Sequence, residues 1–326
     1  MVVPAVYNRT VAENSPRVRS VHIAISGSHG LIGSALASAL ASDGHRVVRL
    51  VRAPSAAGDD RIGWDPAAGV IDRAALDGLD AVVHLAGESV GSGRWTPAKK
   101  ARIRDSRVGG TRLLTRALAD LAHRPQVLIC ASAVGYYGSR HDQILVEESA
   151  SGRGFLADVC REWEAAAEPA RRAGIRVVHL RTGLVLTSTG GVLAKLLPIF
   201  RLGLGGRLGG GYQWMSWITL DDVVGAIAYS LRRDTVRGPL NLVSPQPITN
   251  QEFTAILGRV LHRPAIVAVP AVVLRAVLGE AAGEVLGSQR AHPAKLLTEG
   301  FAFRHPELEP ALHHLLRRAS AVRASA

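Results

Sequence analysis

Residues 21 to 33 read Val-His-Ile-Ala-Ile-Ser-Gly-Ser-His-Gly-Leu-Ile-Gly, an apolar run that enters a glycine-spaced turn and leads straight into a helix. Val21, Ile23 and Ile25 suit a buried parallel strand, while Leu31, Ile32, Leu36 and Leu40 recur at helical spacing and can pack back on the sheet. Gly27 permits a tight turn, Gly30 lets backbone come close to a pyrophosphate, and Gly33 lets the helix lie close on the strand. The N–H groups of the first helical turn then face the phosphates. Glycine spacing alone is weak evidence, but strand, turn and helix together make a dinucleotide cradle. Gly27, Ser28, Gly30, Leu31, Ile32 and Gly33 are its candidate cofactor-binding residues.

Working outward, 326 residues suffice for one large or two ordinary domains, and 47% hydrophobic with 20% charged residues reads as globular. The most apolar tract, 265 to 279, is interrupted by Pro270 and Arg275 and is too short to span a bilayer, so no membrane partner is expected. Cys130 and Cys160 fall in an expected strand and helix and read as packed thiols, which fits a reducing cytoplasm. The first twenty residues carry Arg9, Arg17 and Arg19 but no apolar signal core. They read as a flexible extension, with a transit segment as the alternative.

The net charge of +12, with Lys99, Lys100, Arg102, Arg104 and Arg107 as a candidate patch, invites a nucleic-acid reading. No recognised nucleic-acid fold or aromatic stacking platform accompanies that charge, so a small-molecule substrate is the expected partner. The motifs carry no signature of an oligomeric state.

Strands are expected over Arg46–Val51, Asp80–Leu85, Gln126–Ser132 and Arg176–Arg181, alternating with helices over Pro97–His123 and 153–173. Such alternation demands right-handed crossovers and a parallel sheet covered on both faces, a doubly wound α/β Rossmann fold. Residues 62–71, with Pro66 and Gly69 at the turn, read as a hairpin. The dinucleotide-binding domain is placed at 21–185, with part of 215–245 returning to it. A smaller, mostly helical substrate-side lobe follows over 186–318, then a loose tail from 319. Met215–Leu220 reads as a strand, and Gly203–Gly211 as either a lid over the site or a glycine connector. Asp221 and Asp222 read as caps of the next helix rather than metal ligands, and no metal is expected.

Folds of this kind grip an NAD ribose with an acid near the end of the second strand. Here the run is Arg49-Leu50-Val51-Arg52, and Arg52 stands where a guanidinium meets a 2′-phosphate, so NADP is preferred over NAD. The alternative for Arg52 is a solvated strand-end arginine. Leu85, Ala86 and Gly87 end the next strand and let the cofactor pass over the sheet's carboxyl edge. Arg107, on the long helix, either reaches the cofactor or pairs with a nearby carboxylate.

An ordered series of blocks then allows a closer match. It comprises Trp64-Asp-Pro66, His84-Leu-Ala-Gly-Glu88, Arg94-Trp-Thr96, Ser106-Arg107, Ser132-Ala-Val-Gly-Tyr-Tyr-Gly138, Gly154-Phe-Leu-Ala157, Trp163-Glu-Ala-Ala166 and Leu180-Arg-Thr-Gly183. Phe200-Arg-Leu-Gly-Leu-Gly205, Trp214-Met-Ser-Trp217, Leu278-Gly-Glu280 and Ser288-Gln-Arg290 complete it. Over nearly all of 21 to 316 the chain resembles the atypical extended short-chain dehydrogenases called epimerase-family proteins, which carry a small C-terminal domain of unknown function. The resemblance implies an NADP-binding Rossmann domain, a sugar-nucleotide-like substrate position and Leu184 beside the nicotinamide.

Members of the wider group use a Ser or Thr after the fifth strand and then a Tyr-x-x-x-Lys, the lysine and cofactor lowering the tyrosine pKa for proton transfer. Ser132 matches the first element. Phe155 stands where the tyrosine belongs, and an apolar residue near the lysine position. Tyr136 and Tyr137 are the nearest replacements, as acid or as substrate wall, giving Ser132, Tyr136 and Tyr137 as catalytic candidates. Glu88, Arg94 with Trp95, Cys160, Glu164 and Arg181 are further polar candidates; the plain alternatives are that Glu88 caps a helix, Arg94 anchors a loop, Cys160 fills the core and Glu164 sits solvated on a helix face. Two functions follow: an NADP-dependent oxidoreductase or epimerase-like enzyme, or a non-catalytic NADP-binding protein that has lost the acid–base pair.

Overall fold

The computed structural model describes residues 20–52 and 60–324. The N-terminal extension, but for Ser20, lies outside the described residues. Strand β1 (His22–Ser26) feeds α1 (Leu31–Ser42), then β2 (Arg46–Val51), β3 (Arg61–Asp65), β4 (Val70–Ile71) and β5 (Ala81–His84). There follow α2 (Pro97–Ala119), β6 (Val127–Ala133), β7 (Ile144–Leu145), α3 (Phe155–Ala165), α4 (Glu168–Arg172), β8 (Arg176–Thr182), β9 (Leu184–Thr187) and α5 (Gly191–Arg201). The remainder is β10 (Trp214–Met215), β11 (Trp217–Thr219), α6 (Leu220–Arg232), β12 (Gly238–Leu242), β13 (Ile248–Thr249), α7 (Asn250–Val260), α8 (Ala271–Leu278), α9 (Ala282–Leu286), β14 (Arg290–Ala291), α10 (Ala294–Thr298) and α11 (Leu308–Ala324).

The main sheet runs β12-β8-β6-β5-β1-β2-β3-β4, parallel except where β4 turns back antiparallel on β3 as the expected hairpin. Order reverses between β1 and β5, so the carboxyl ends of those strands open a crevice, as in a Rossmann fold. The pleat sorts side chains by parity. Ile23, Ile25, Val83 and Ile129 pack on one face against Leu36 and Leu40 of α1 and Ile227 of α6. Ala24, Val82 and Leu128 pack on the other against Leu114 and Leu118 of α2. Both faces are therefore dry at the centre of the sheet, which is why Ile23–Ile25, Ala81–Val83 and Val127–Cys130 are apolar without interruption. A separate core, with Leu193, Leu197, Trp217, Phe253, Leu257 and Leu312, lies under the later helices.

Three expectations need correction. The helix read over 153–173 breaks at Ala166–Ala167, where Pro169 starts α4 instead of continuing α3. The strand read over 215–220 splits at Ser216, whose carbonyl accepts from Leu184 N while its hydroxyl donates to Gln289 O and accepts from Ala291 N. The tail read as loose from 319 is helical as far as Ala324. Among the described residues no helix is long and apolar enough to cross a membrane.

Candidate functional site

Gly27 sits at φ +68°, and a Cβ there would lie 2.8 Å from the Leu85 carbonyl carbon. Gly30 N donates to Gly27 O at 2.9 Å to close the turn, and a Cβ on Gly33 would lie 2.2 Å from that same oxygen. Only glycine lets strand, turn and helix meet here. Helix α1 begins with no side-chain cap and no acid in its first turn, so the positive end of its dipole is uncompensated. Ser28 is buried, and its hydroxyl has no hydrogen-bond partner among the described residues. Beside this turn opens a cleft of about 540 Å³ whose walls include Gly27, Gly30, Arg52, Ala86 and Gly87, with Ser28 and Gly33 outside its lining. Arg61, missed in the sequence because it lies one residue before the expected hairpin, also lines it.

Behind the cleft, Ser26 Oγ accepts from Leu85 N and Ala86 N and lies 2.6 Å from His84 Nδ1. His84 Nε2 reaches Thr111 Oγ1 at 3.0 Å, which also accepts from Trp163 Nε1 at 2.9 Å. His84 and Trp163 thus shape the loop from within the core. Arg107 donates to the Glu88 carbonyl at 2.8 Å, and its guanidinium lies where a Cβ on Gly87 would press against it. Its role here is to hold the 87–88 backbone. Glu88 does not cap a helix: its carboxylate accepts from buried Lys99 at 2.6 Å, chiefly that bond holding it below the usual carboxylate range. Arg94 lies beside Gly279, while Trp95 is folded in, donating to Val90 O and standing edge-on to Phe155. Leu184 pairs with Trp217 across β9 and β11, and a Cβ on Gly190 would lie 2.8 Å from Leu31 of α1.

On β6, Ser132 Oγ donates to Glu164 at 2.8 Å. Glu164 in turn holds Arg181 by two bonds of 2.9 Å, both side chains largely buried, so its expected place on a solvated helix face is corrected. A carboxylate two turns along α3, beside Val159, Cys160 and Trp163 on the buried stripe, is the signal that could have found it. Arg181 also donates to Tyr137 OH at 3.0 Å and Glu147 O at 2.9 Å, and its guanidinium covers the Tyr136 ring at 3.5 Å. Tyr137 is wholly buried and donates to Asn241 Oδ1 at 2.7 Å; burial chiefly pushes its hydroxyl up to about 12. As a proton donor in an open cleft Tyr137 is therefore corrected to a core tie, while Tyr136 is half-buried under the Arg181 guanidinium. Burial likewise pushes the Cys160 thiol up to about 12, so it stays a packed thiol.

This geometry can now be set beside known proteins. Residues 23–242 match the model of the NAD dependent epimerase/dehydratase family, and 269–315 match a domain of unknown function, DUF1731. The chain belongs to the NAD dependent epimerase/dehydratase family. It is 45% identical over 298 residues to epimerase family protein Mb2239 of Mycobacterium bovis, covering 91% of this chain and 98% of that one. It is 36% identical to epimerase family protein SDR39U1 of Mus musculus, over 90% of this chain and 98% of that one. The crystal structure of human SDR39U1 (isoform 2) with NADPH superposes at a TM-score of 0.82, with 33% identity, over 90% of this chain and 98% of that one.

Within this atypical branch of extended short-chain dehydrogenases, the departure lies at the start of α3. Phe155 packs against Trp95, with Lys100 Nζ 4.9 Å over its ring and paired to Glu280 at 2.7 Å. Phe155, expected from the sequence to stand in place of the wider group's tyrosine, is thus an aromatic plug held by a cation.

Proposed function

We propose that this family member is an NADP-dependent oxidoreductase or epimerase-like enzyme acting on a small, sugar-nucleotide-like molecule by nicotinamide hydride transfer. The observation that carries the reading is the buried, unpartnered hydroxyl of Ser28 in a glycine cradle against the bare end of α1. A buried hydroxyl without a partner costs about 1–3 kcal/mol, a cost removed when an anionic oxygen accepts its proton. Gly27, Ser28, Gly30, Leu31, Ile32 and Gly33 would hold the diphosphate, Leu85, Ala86 and Gly87 would flank the cofactor, and Leu184 would lie by the nicotinamide. Arg52, exposed just past the end of β2, with Arg61 of the neighbouring β3 lining the same cleft, favours a 2′-phosphate and hence NADP over NAD. Arg107 serves by positioning the 87–88 loop.

Bound NADPH would supply the hydride. With its own proton engaged by Glu164, Ser132 is left to accept a hydrogen bond from a substrate hydroxyl, and Tyr136 offers the nearest phenol. General acid–base help is worth about 10²–10⁴-fold, so without Tyr-x-x-x-Lys slow turnover is expected. The second reading, a non-catalytic NADP-binding sensor, is favoured by Phe155 and by the core-bound Tyr137. Two buried, unpaired thiols suit a reducing compartment, and we place the protein in the cytoplasm.

A panel of nucleoside-diphosphate sugars and small carbonyl compounds, followed by NADPH absorbance, separates the two. We expect turnover by the parent chain and a loss of about 10²-fold in Ser132→Ala and Tyr136→Phe at matched stability. Turnover unchanged in both variants overturns the catalytic assignment, and NADPH binding with no turnover across the panel favours the sensor.

A further inference from the structure

We propose that Asp221, His305 and His314 form a binding site for a divalent cation of the zinc class, which ties the C-terminal segment to the core. The site is separate from the cofactor cleft and does not rest on the function proposed above. Asp221 lies in the first turn of α6, His305 in the loop between α10 and α11, and His314 on α11. Asp221 Oδ2 is 3.2 Å from His314 Nε2 and 4.0 Å from His305 Nε2, and the three donor atoms lie within 4.8 Å of one another. Metal–ligand bonds near 2.0–2.2 Å in a tetrahedron place donor atoms about 3.4 Å apart, so only the imidazole of His305 has to close in.

The sequence gives no hint of this, because Asp221 and His314 are 93 residues apart and the expected cap was the Asp221–Asp222 pair. Thr219 is the cap instead, accepting from Asp222 N. Asp221 and Asp222 then face different groups. Asp222, wholly buried, accepts from Arg304 N at 2.7 Å and His305 N at 3.1 Å, and Ser244 Oγ donates to Pro306 O at 2.6 Å. The loop that carries His305 is therefore placed by bonds that owe nothing to a metal. The two rings lie 4.4 Å apart, tilted by 32°, with both Nε2 atoms within 4.0 Å of one carboxylate oxygen. A lone ion pair needs one imidazole there; convergence of two suits a cation.

Two imidazoles and a carboxylate select zinc and its first-row neighbours over calcium or magnesium, which prefer all-oxygen shells. The three side chains keep 17%, 34% and 23% exposure for His305, His314 and Asp221, enough for water to complete the coordination. Asp221 lies in the family-matched stretch and both histidines in the DUF1731 stretch, so one ion would join the two.

The test is Zn²⁺ titration of the full, tag-free, chelator-stripped chain by calorimetry and thermal unfolding, with Co²⁺ as a spectroscopic probe. We expect one saturable Zn²⁺ per chain, a raised Tm and the visible absorption of four- or five-coordinate Co²⁺, displaced by Zn²⁺. Asp221→Asn and His314→Gln should each weaken uptake by at least about tenfold. No saturable uptake by the parent chain, or equal uptake by both variants, overturns the proposal. Should the variants fail to fold, the parent Co²⁺ spectrum decides: an octahedral spectrum alone also overturns it.

Discussion

His84 is the residue whose chemistry reaches furthest for its size. Wholly buried, it takes the Ser26 proton at Nδ1 and gives its own at Nε2 to Thr111, the tautomer required because Ser26 Oγ already accepts two loop amides. A proton added at Nδ1 would confront the Ser26 hydroxyl in a dry core. Burial accordingly lowers its pKa from 6.5 to about 4. The unfolded chain therefore binds the proton first, so stability is full above about pH 6.5 and is lost as pH falls towards about 4, by roughly 3 kcal/mol. Burial lowers His22 and His179 in the same direction. Urea unfolding midpoints should fall between about pH 7 and about pH 5, and the fall should be shallower in His84→Asn. An identical pH slope in parent and variant would show that His84 stays neutral for no energetic reason. In the sequence His84 reads only as the start of a family block, because its partners are 27 and 58 residues away.

Among the elements, the glycine-rich stretch 203–211 is the one whose character composition leaves open. It is zipped to the segment before α8: Val267 N donates to Gly205 O, Val269 N to Arg207 O, and Gly209 N to Val269 O. Glycine is needed for close approach, since a Cβ on Gly206 would fall on the Val267 carbonyl oxygen, 1.5 Å away. A connector free to flex would show none of these ties. Gly206→Ala should cost about 1–3 kcal/mol and open the stretch to protease, read by urea midpoint and limited proteolysis. A variant as stable and as resistant as the parent would return the stretch to a plain linker. Regular elements are legible where period and length agree, as in β1 to α1 and the long α2. The breaks at Ala166 and Ser216 are not, because each depends on tertiary hydrogen bonds or on where a proline falls in a helical pattern.

For the whole molecule, the alternation of apolar strands and helices is enough to anticipate a parallel sheet covered on both faces, and the glycine turn after the first strand points to its doubly wound form. What it leaves out is how the C-terminal region returns to the core. Arg140 N donates to Ser288 O, Lys295 N to Glu147 Oε1, and β14 pairs with β7, contacts across nearly half the chain. The tight glycine turn between β1 and α1 was legible because its glycines are local. The Ser132–Glu164–Arg181–Tyr137 network was not, as four elements meet to build it. Cofactor choice also belongs to this scale, for the ends of β1, β2 and β5 must face one cleft before Arg52 can select a phosphate. The most direct measurement is calorimetry of the parent chain and Arg52→Ala with NADPH and with NADH. We expect the parent to bind NADPH more tightly, and the variant to lose about tenfold to hundredfold for NADPH with NADH little changed. Equal affinities for both cofactors in both proteins, or no uptake of either, would contradict the account.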